Sequence, residues 1–280
     1  MIALLSLALS AAAPPPSVAF ADHLYDTGDY YRAIGEYERY LFEDPAGDAA
    51  AHAQIRIGQS YLRGERFPEA AAHFDTIAEQ SRDPALRGLA RLDAAAARSR
   101  GGEQDLAVQE LLELVPDPAL SPALRDRATY LLGWAYLLGH DPDLAIRTFG
   151  AAAASPDWGR EARALASEAE GAKRLPHRSP LLAGLLSAVL PGAGYFYLGE
   201  PGTGLAAIAW NGLFGFGVYD AAAHRLWGIA SVLGVLEAMW YGGAIFGSVS
   251  GAHKFDRDAW RNYTDGLEEE HDWRSATVGP

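Results

Sequence analysis

From residue 17 to about residue 174, apolar and small residues return every three or four positions among Arg, Glu and Asp, which predicts amphipathic helices. Four stretches share one pattern: Asp29 to Tyr37, Phe67 to Phe74, Asp105 to Leu111 and Asp143 to Phe149. In each, an alanine (Ala33, Ala70, Ala107, Ala145) is followed four residues later by Tyr37, Phe74, Leu111 or Phe149, and the alanines are spaced 37, 37 and 38 residues apart. A small residue one helical turn from a bulky one lets two helices cross closely while the bulky group fills the gap. A helical segment precedes each stretch and ends at Gly28, Gly64, Gly101-Gly102 or Gly139. Pro45, Pro84, Pro116 and Pro156 read as stops after them. Residues 157–174 read as a final helix covering the last apolar face.

This periodicity resembles the tetratricopeptide repeat, a helix–turn–helix unit of about 34 residues. Gly58 and Tyr61 match its motif in the second repeat, and Gly133 and Tyr136 in the fourth. The third departs, with Ala95 where Gly is usual and Arg98 where an aromatic is usual. The resemblance covers residues 17–157. It implies an all-α solenoid of about four helix pairs plus a capping helix, within a repeat domain spanning 14–175. Such an array is an interaction surface, its concave side lined by the first helix of each pair: Asp22, Tyr25, Ile55, Gln59, Leu62, Arg63, Tyr130, Trp134 and Leu138. Tyr130 and Trp134, four apart on one face, are the expected aromatic anchors, and Arg63 and Arg127 would flank an acidic or C-terminal peptide group. An unrelated helical bundle is the alternative fold, and the alternative role for Trp134 is packing against the terminal helix around Leu165, because a terminal repeat buries one face under its cap.

Beyond residue 176 the pattern changes. Residues 180–250 carry four charged groups, Glu200, Asp220, Arg225 and Glu237, and 180–251 hold fifteen of the chain's 30 glycines. An uncharged block rich in Gly and aromatics suits a membrane. Residues 181–190 form a half-helix of about 15 Å, too short for a hydrocarbon core of about 30 Å, so it re-enters or lies at the interface. Spans are expected at 202–220 and 227–250, joined as a hairpin, which makes 176–252 a membrane domain. The stretch containing Pro191, Gly192, Gly194, Tyr197 and Gly199, with Trp240-Tyr241-Gly242 and Ser248 to Lys254, is similar to a family of small bacterial two-helix membrane domains. Asn211 and Glu237 fall mid-span, and Glu237 is expected to be uncharged or hydrogen-bonded to Asn211, Trp210 or Trp240, since a lone carboxylate there is costly.

Charge and composition narrow the function. There are 36 acidic and 23 basic residues, a net charge of −13 and no cysteine. Nucleic-acid binding, a disulfide framework, a thiolate metal site and a Cys nucleophile are thereby disfavoured. The Gly192-x-Gly194 loop has Tyr197 where a dinucleotide fingerprint needs Gly, and no P-loop, His-Glu-x-x-His or Gly-x-Ser-x-Gly occurs. No cofactor or metal is expected: within the acidic tail, 253–280, the run Glu268-Glu269-Glu270-His271-Asp272 could touch a metal but reads rather as a solvated, disordered end. Residues 2–13 form a short apolar run ending in small residues before Pro14, Pro15 and Pro16, which reads as a signal peptide over 1–13, or as an uncleaved apolar segment lacking a basic start. A leader places the repeats in the periplasm. Lys173, Arg174, Arg178, Lys254, Arg257 and Arg261, against Arg225 alone in the hairpin loop, argue for the cytoplasm. The expected function is a non-enzymatic scaffold at the bacterial inner membrane that binds a protein or peptide in envelope or membrane-protein assembly. Two alternatives stay open: an oligomeric channel, transporter subunit or intramembrane enzyme regulated by the repeats, and a cytoplasm-facing dock for chaperones or the insertion machinery. Gly212, Gly215, Gly217, Gly243 and Gly247 would support self-association in the bilayer.

Overall fold

The computed structural model describes residues 15–271, so the expected leader lies outside the described residues. Among these residues there are thirteen helices and no strand. They fall into two compact units, one running to Glu170 and resuming at Leu267, the other spanning Gly171–Gly266.

The first unit contains α1 (Pro16–Asp26), α2 (Tyr30–Glu43), α3 (Ala50–Arg63), α4 (Phe67–Gln80), α5 (Pro84–Arg100), α6 (Gln104–Leu114), α7 (Pro122–Leu138), α8 (Pro142–Ala152) and most of α9 (Gly159–Ala172). Side-chain oxygens of Asp29, Asp83, Ser121 and Asp141 cap the starts of α2, α5, α7 and α8 by taking up otherwise unpaired N–H groups. Pro84, expected as a stop, instead opens α5, where its missing N–H costs nothing. From α1 to α8 each helix packs on the next, and α1 also touches α3, α3 touches α5, and α5 touches α7.

One turn geometry recurs within the helix pairs. The left-handed residue is Gly28 (φ 83°), Glu65 (60°), Gly102 (88°) and His140 (65°) in the four turns. The following N–H closes back on the preceding helix each time: Asp29 to Leu24 O (2.8 Å), Arg66 to Tyr61 O, Glu103 to Arg98 O and Asp141 to Tyr136 O (each 2.9 Å). This is the six-to-one bond that ends many helices. It repeats at the spacing of the alanines, although the left-handed residue is a glycine in only two of the four turns.

The core follows the same register. Ala33, Ala70, Ala107 and Ala145, and their partners Tyr37, Phe74, Leu111 and Phe149, are all fully buried. A Cβ on Gly58 would stand 2.5 Å from the Phe74 ring, and one on Gly133 2.6 Å from the Phe149 ring. Ala21 and Ala95, also fully buried, occupy the corresponding positions of the first and third pairs. Arg98, the departure in the third pair, reaches Asp75 on α4 and Glu110 on α6, so it ties neighbouring pairs together by charge where a ring is usual.

The second unit contains α10 (Pro180–Val189), α11 (Ala193–Leu198), α12 (Pro201–Ala223) and most of α13 (Trp227–Glu270). The half-helix and both expected spans are thus helical. The expected solvated tail is corrected: α13 continues through residues 253–270, and Thr264 and Leu267 on it are buried. Among the described residues one helix, α13, is long and apolar enough to cross a membrane. At 44 residues it is about 66 Å long. The other expected span, α12, has 23 residues, but its glycines and Asn211 dilute its hydropathy.

Candidate functional site

Polar side chains on α1, α3, α5 and α7 form one chain of contacts. Asp22 on α1 accepts a hydrogen bond from the Tyr37 hydroxyl, meets His52 Nε2 at 2.8 Å and lies 3.8 Å from Arg56 Nε. Arg56 donates to Gln59 Oε1 at 3.4 Å, and Gln59 bonds to Asp93. Asp93, fully buried, pairs with Arg127, itself 3% exposed. The Arg56 and Arg63 guanidiniums lie 4.4 and 5.6 Å from the centre of the Tyr25 ring.

Electrostatics along this chain follow from burial. Burial pushes the Tyr25 hydroxyl pKa up, with Arg63 and Arg56 opposing. Tyr37 is pushed up further, by burial first and then by its bond to Asp22. Burial raises the Asp93 carboxyl, and Arg127 and Gln59 pull against it. Two carboxylates face three guanidiniums. Arg63 is the surplus cation among the described residues: its Nε is buried without a hydrogen-bond partner there, and its guanidinium, with that of Arg56, is the polar neighbour of the Tyr25 hydroxyl.

Of the residues expected to bind a partner, Tyr25, Gln59, Arg63 and Arg127 fall on this chain. Tyr130 and Trp134 do not serve as open anchors: each is 1% exposed. Trp134 meets Phe149 edge-on at 6.0 Å, and Tyr130 stacks on Trp158 at 5.1 Å. Burial accordingly pushes the Tyr130 hydroxyl up to about 12. Arg127 is closed off by its pairing with Asp93, and Ile55 and Leu62 are buried too. Arg56 and Asp93 were missed. Asp93 left one clue, a lone acid in an alanine-rich helix.

The glycine-rich motif builds a second centre. Gly192 is left-handed (φ 98°), and a Cβ there would fall 2.4 Å from Gly204 O. A Cβ on Gly194 would fall 2.3 Å from Ala183 O, and Gly194 N donates to the buried Ser187 hydroxyl at 3.1 Å. Gly199, also left-handed (φ 82°), ends α11. The Tyr197 hydroxyl accepts from Ser179 N at 3.0 Å, and that of Tyr241 donates to Ala188 O at 2.7 Å. Ser248 donates to Ala183 O at 3.1 Å, Gly247 faces Tyr195 and Gly251 faces Leu198. Hence α10 runs along α13 from the level of Ser248 towards Tyr241, turns at Pro191-Gly192, and α11 returns towards Gly251. The chain then turns into α12, which pairs antiparallel with α13 through Trp210 on Trp240 (5.8 Å, stacked) and Gly217 beside Leu233.

The bond expected between Glu237 and Asn211 is not formed. Asn211 donates back to Ala207 O of its own helix at 2.7 Å, and the two indoles stack on each other instead of donating. Among the described residues Asn211 Oδ1 and Glu237 Oε2 have no hydrogen-bond partner.

No family model matches this chain. No curated protein matches it either. Both resemblances therefore rest on the residues named above. Among the described residues one group, Glu168, Glu270 and His271, brings potential metal ligands within 4.8 Å of one another. His271 Nε2 contacts Glu168 Oε2 at 2.6 Å there, a contact that needs no ion.

Proposed function

We propose that this protein is a non-enzymatic scaffold, in which tetratricopeptide-like repeats bind a protein or peptide partner beside a membrane anchor built from α10–α13. The observation that carries this reading is the contrast of surfaces. Four helix pairs of one turn geometry bury their repeating alanines and the bulky partners of these, whereas α13 carries an apolar stretch only 11% buried. Val232, Val235, Met239 and Phe246 are each more than half exposed on it, as are Leu213 and Phe216 on α12. Apolar surface on this scale calls for lipid or a partner. Contacts between alternate helices, α1 to α3 to α5 to α7, support the solenoid reading, because stacked repeats bring their first helices together.

The repeats lie in the periplasm of a bacterial inner membrane on this reading, and the partner presents an anionic group to Arg63 and Tyr25. The partner acts in envelope or membrane-protein assembly. Protease protection in spheroplasts tests the placement: the repeats should be cut in intact spheroplasts, and protection until lysis would favour the cytoplasmic dock. A photocrosslinker at the exposed His52 tests the binding role. A discrete adduct that is lost in Arg63→Glu is expected; an adduct pattern indifferent to Arg63 would sink the groove. The channel alternative is favoured by Asn211 and Glu237, whose unpaired oxygens sit among apolar helices. Conductance or proton flux lost in a stably inserted Glu237→Gln variant would support it.

A further inference from the structure

Just before α10, Arg178 holds a guanidinium with no carboxylate partner among the described residues. Its carbon lies 5.1 Å from the centre of the Tyr197 ring and 5.3 Å from that of Phe255. Its Nε is buried without a hydrogen-bond partner. The neighbouring acid, Asp256, is already engaged: one oxygen accepts the Arg178 backbone N–H at 2.8 Å and the other meets His177 Nδ1 at 2.6 Å. Two rings thus clamp the cation in place, and Asp256 fixes its backbone.

Its surroundings say what it faces. Beyond Ser179 the surface is apolar and bare, with Leu181 73% and Leu185 56% exposed on α10. On α13 the apolar side chains give way after Ala252 to the exposed His253, Lys254 and Arg257. Arg178 therefore sits where an apolar surface meets a polar one. The N-terminus of α10 adds partial positive charge at the same point. A guanidinium offers a planar pair of donors that matches phosphate oxygens, and one held in advance loses less freedom on binding.

We infer that Arg178 binds the phosphate of an anionic phospholipid, whose acyl chains lie along Leu181 and Leu185. This rests on the membrane reading above. The test uses the full chain in nanodiscs containing equal phosphatidylglycerol and phosphatidylcholine, with native mass spectrometry of the lipid retained after release. The wild type should retain phosphatidylglycerol preferentially. Arg178→Gln should lower that preference roughly fivefold, the scale of one basic residue near a membrane surface. Phe255→Leu keeps the charge but removes one ring, and should lower it about twofold. Arg174→Gln, an exposed neighbour without rings, should leave it unchanged. An equal fall in the Arg174 variant would mean diffuse surface charge and would overturn the site, as would an unchanged preference in both folded Arg178 and Phe255 variants. Displacement of the lipid by millimolar inorganic phosphate would identify a soluble anion as the ligand and overturn the lipid assignment. A chain that enters nanodiscs but shows no lipid preference loses only this site; a chain that stays soluble without detergent or lipid defeats the membrane reading as well.

Discussion

In the second and fourth helix pairs of the first unit a glycine faces an aromatic side chain, Gly58 against Phe74 and Gly133 against Phe149. In the second unit two of the motif glycines face backbone, Gly192 against Gly204 O and Gly194 against Ala183 O. A ring at the end of a side chain can tilt when a methyl group arrives, whereas a helix carbonyl cannot move without its helix. The repeats consequently accept Ala21 and Ala95 where others carry glycine, and their motif degenerates without loss of the packing. The glycine-rich motif has no such tolerance at Gly192 and Gly194, which is why those two glycines stand as a legible signature.

The comparison is broken most strongly through the buried charges. Arg127→Met leaves Asp93 buried without its cation and should cost about 3–5 kcal/mol, read as the opening free energy of α5 and α7 by hydrogen exchange on the full chain in nanodiscs. Adding Asp93→Leu should recover most of that loss; no recovery would mean that packing, not charge, was damaged. Phe149→Ala removes the ring between Gly133, Tyr130 and Trp134, and should cost about 3–5 kcal/mol, confined to the fourth pair if the pairs behave as neighbours in a row.

Alanine at the glycines sharpens the contrast itself. Gly194→Ala should cost about 3 kcal/mol and Gly58→Ala about 1 kcal/mol, the upper and lower ends expected for overpacking. Equal costs would remove the distinction between ring and carbonyl neighbours. The smallest effect concerns pH. His73 Nε2 meets Gln54 O at 2.8 Å, and burial lowers its pKa. Its folded pKa is below its unfolded one, so its contribution is present above about pH 6.5 and is lost as pH falls towards the folded value. His73→Gln should flatten the acid side of the melting curve between pH 7 and 5, and an unchanged slope would assign the acid sensitivity elsewhere.

The repeat spacing was legible because three independent signals share one period: the Ala–aromatic pair, the turn and the small residue on the preceding helix. What could not be read was the side on which a face lies. Tyr130 and Trp134 do share a face, but α7 is buried nearly all round from Arg127 to Leu137. A helix enclosed in this way leaves no open side for a groove. The partnership of Asp93 with Arg127 crosses 34 residues and has no local trace. The motif around Gly192 was legible as a turn, while the depth of that turn along α13 depended on contacts such as Ser248 to Ala183. The end of α13 was misread because its charges suggested solvation, although Arg100 pairs with Glu268 on it.

The return of α11 beside α10 has a consequence for topology. On the proposed membrane reading, a segment that dips in and comes back contributes no crossing, and the α12–α13 hairpin contributes two. Parity then puts the residues around Arg178 and those around Lys254 in the same compartment, whichever compartment it is. Enzyme reporters fused at those two places should give the same sign, and one placed at Arg225 the opposite.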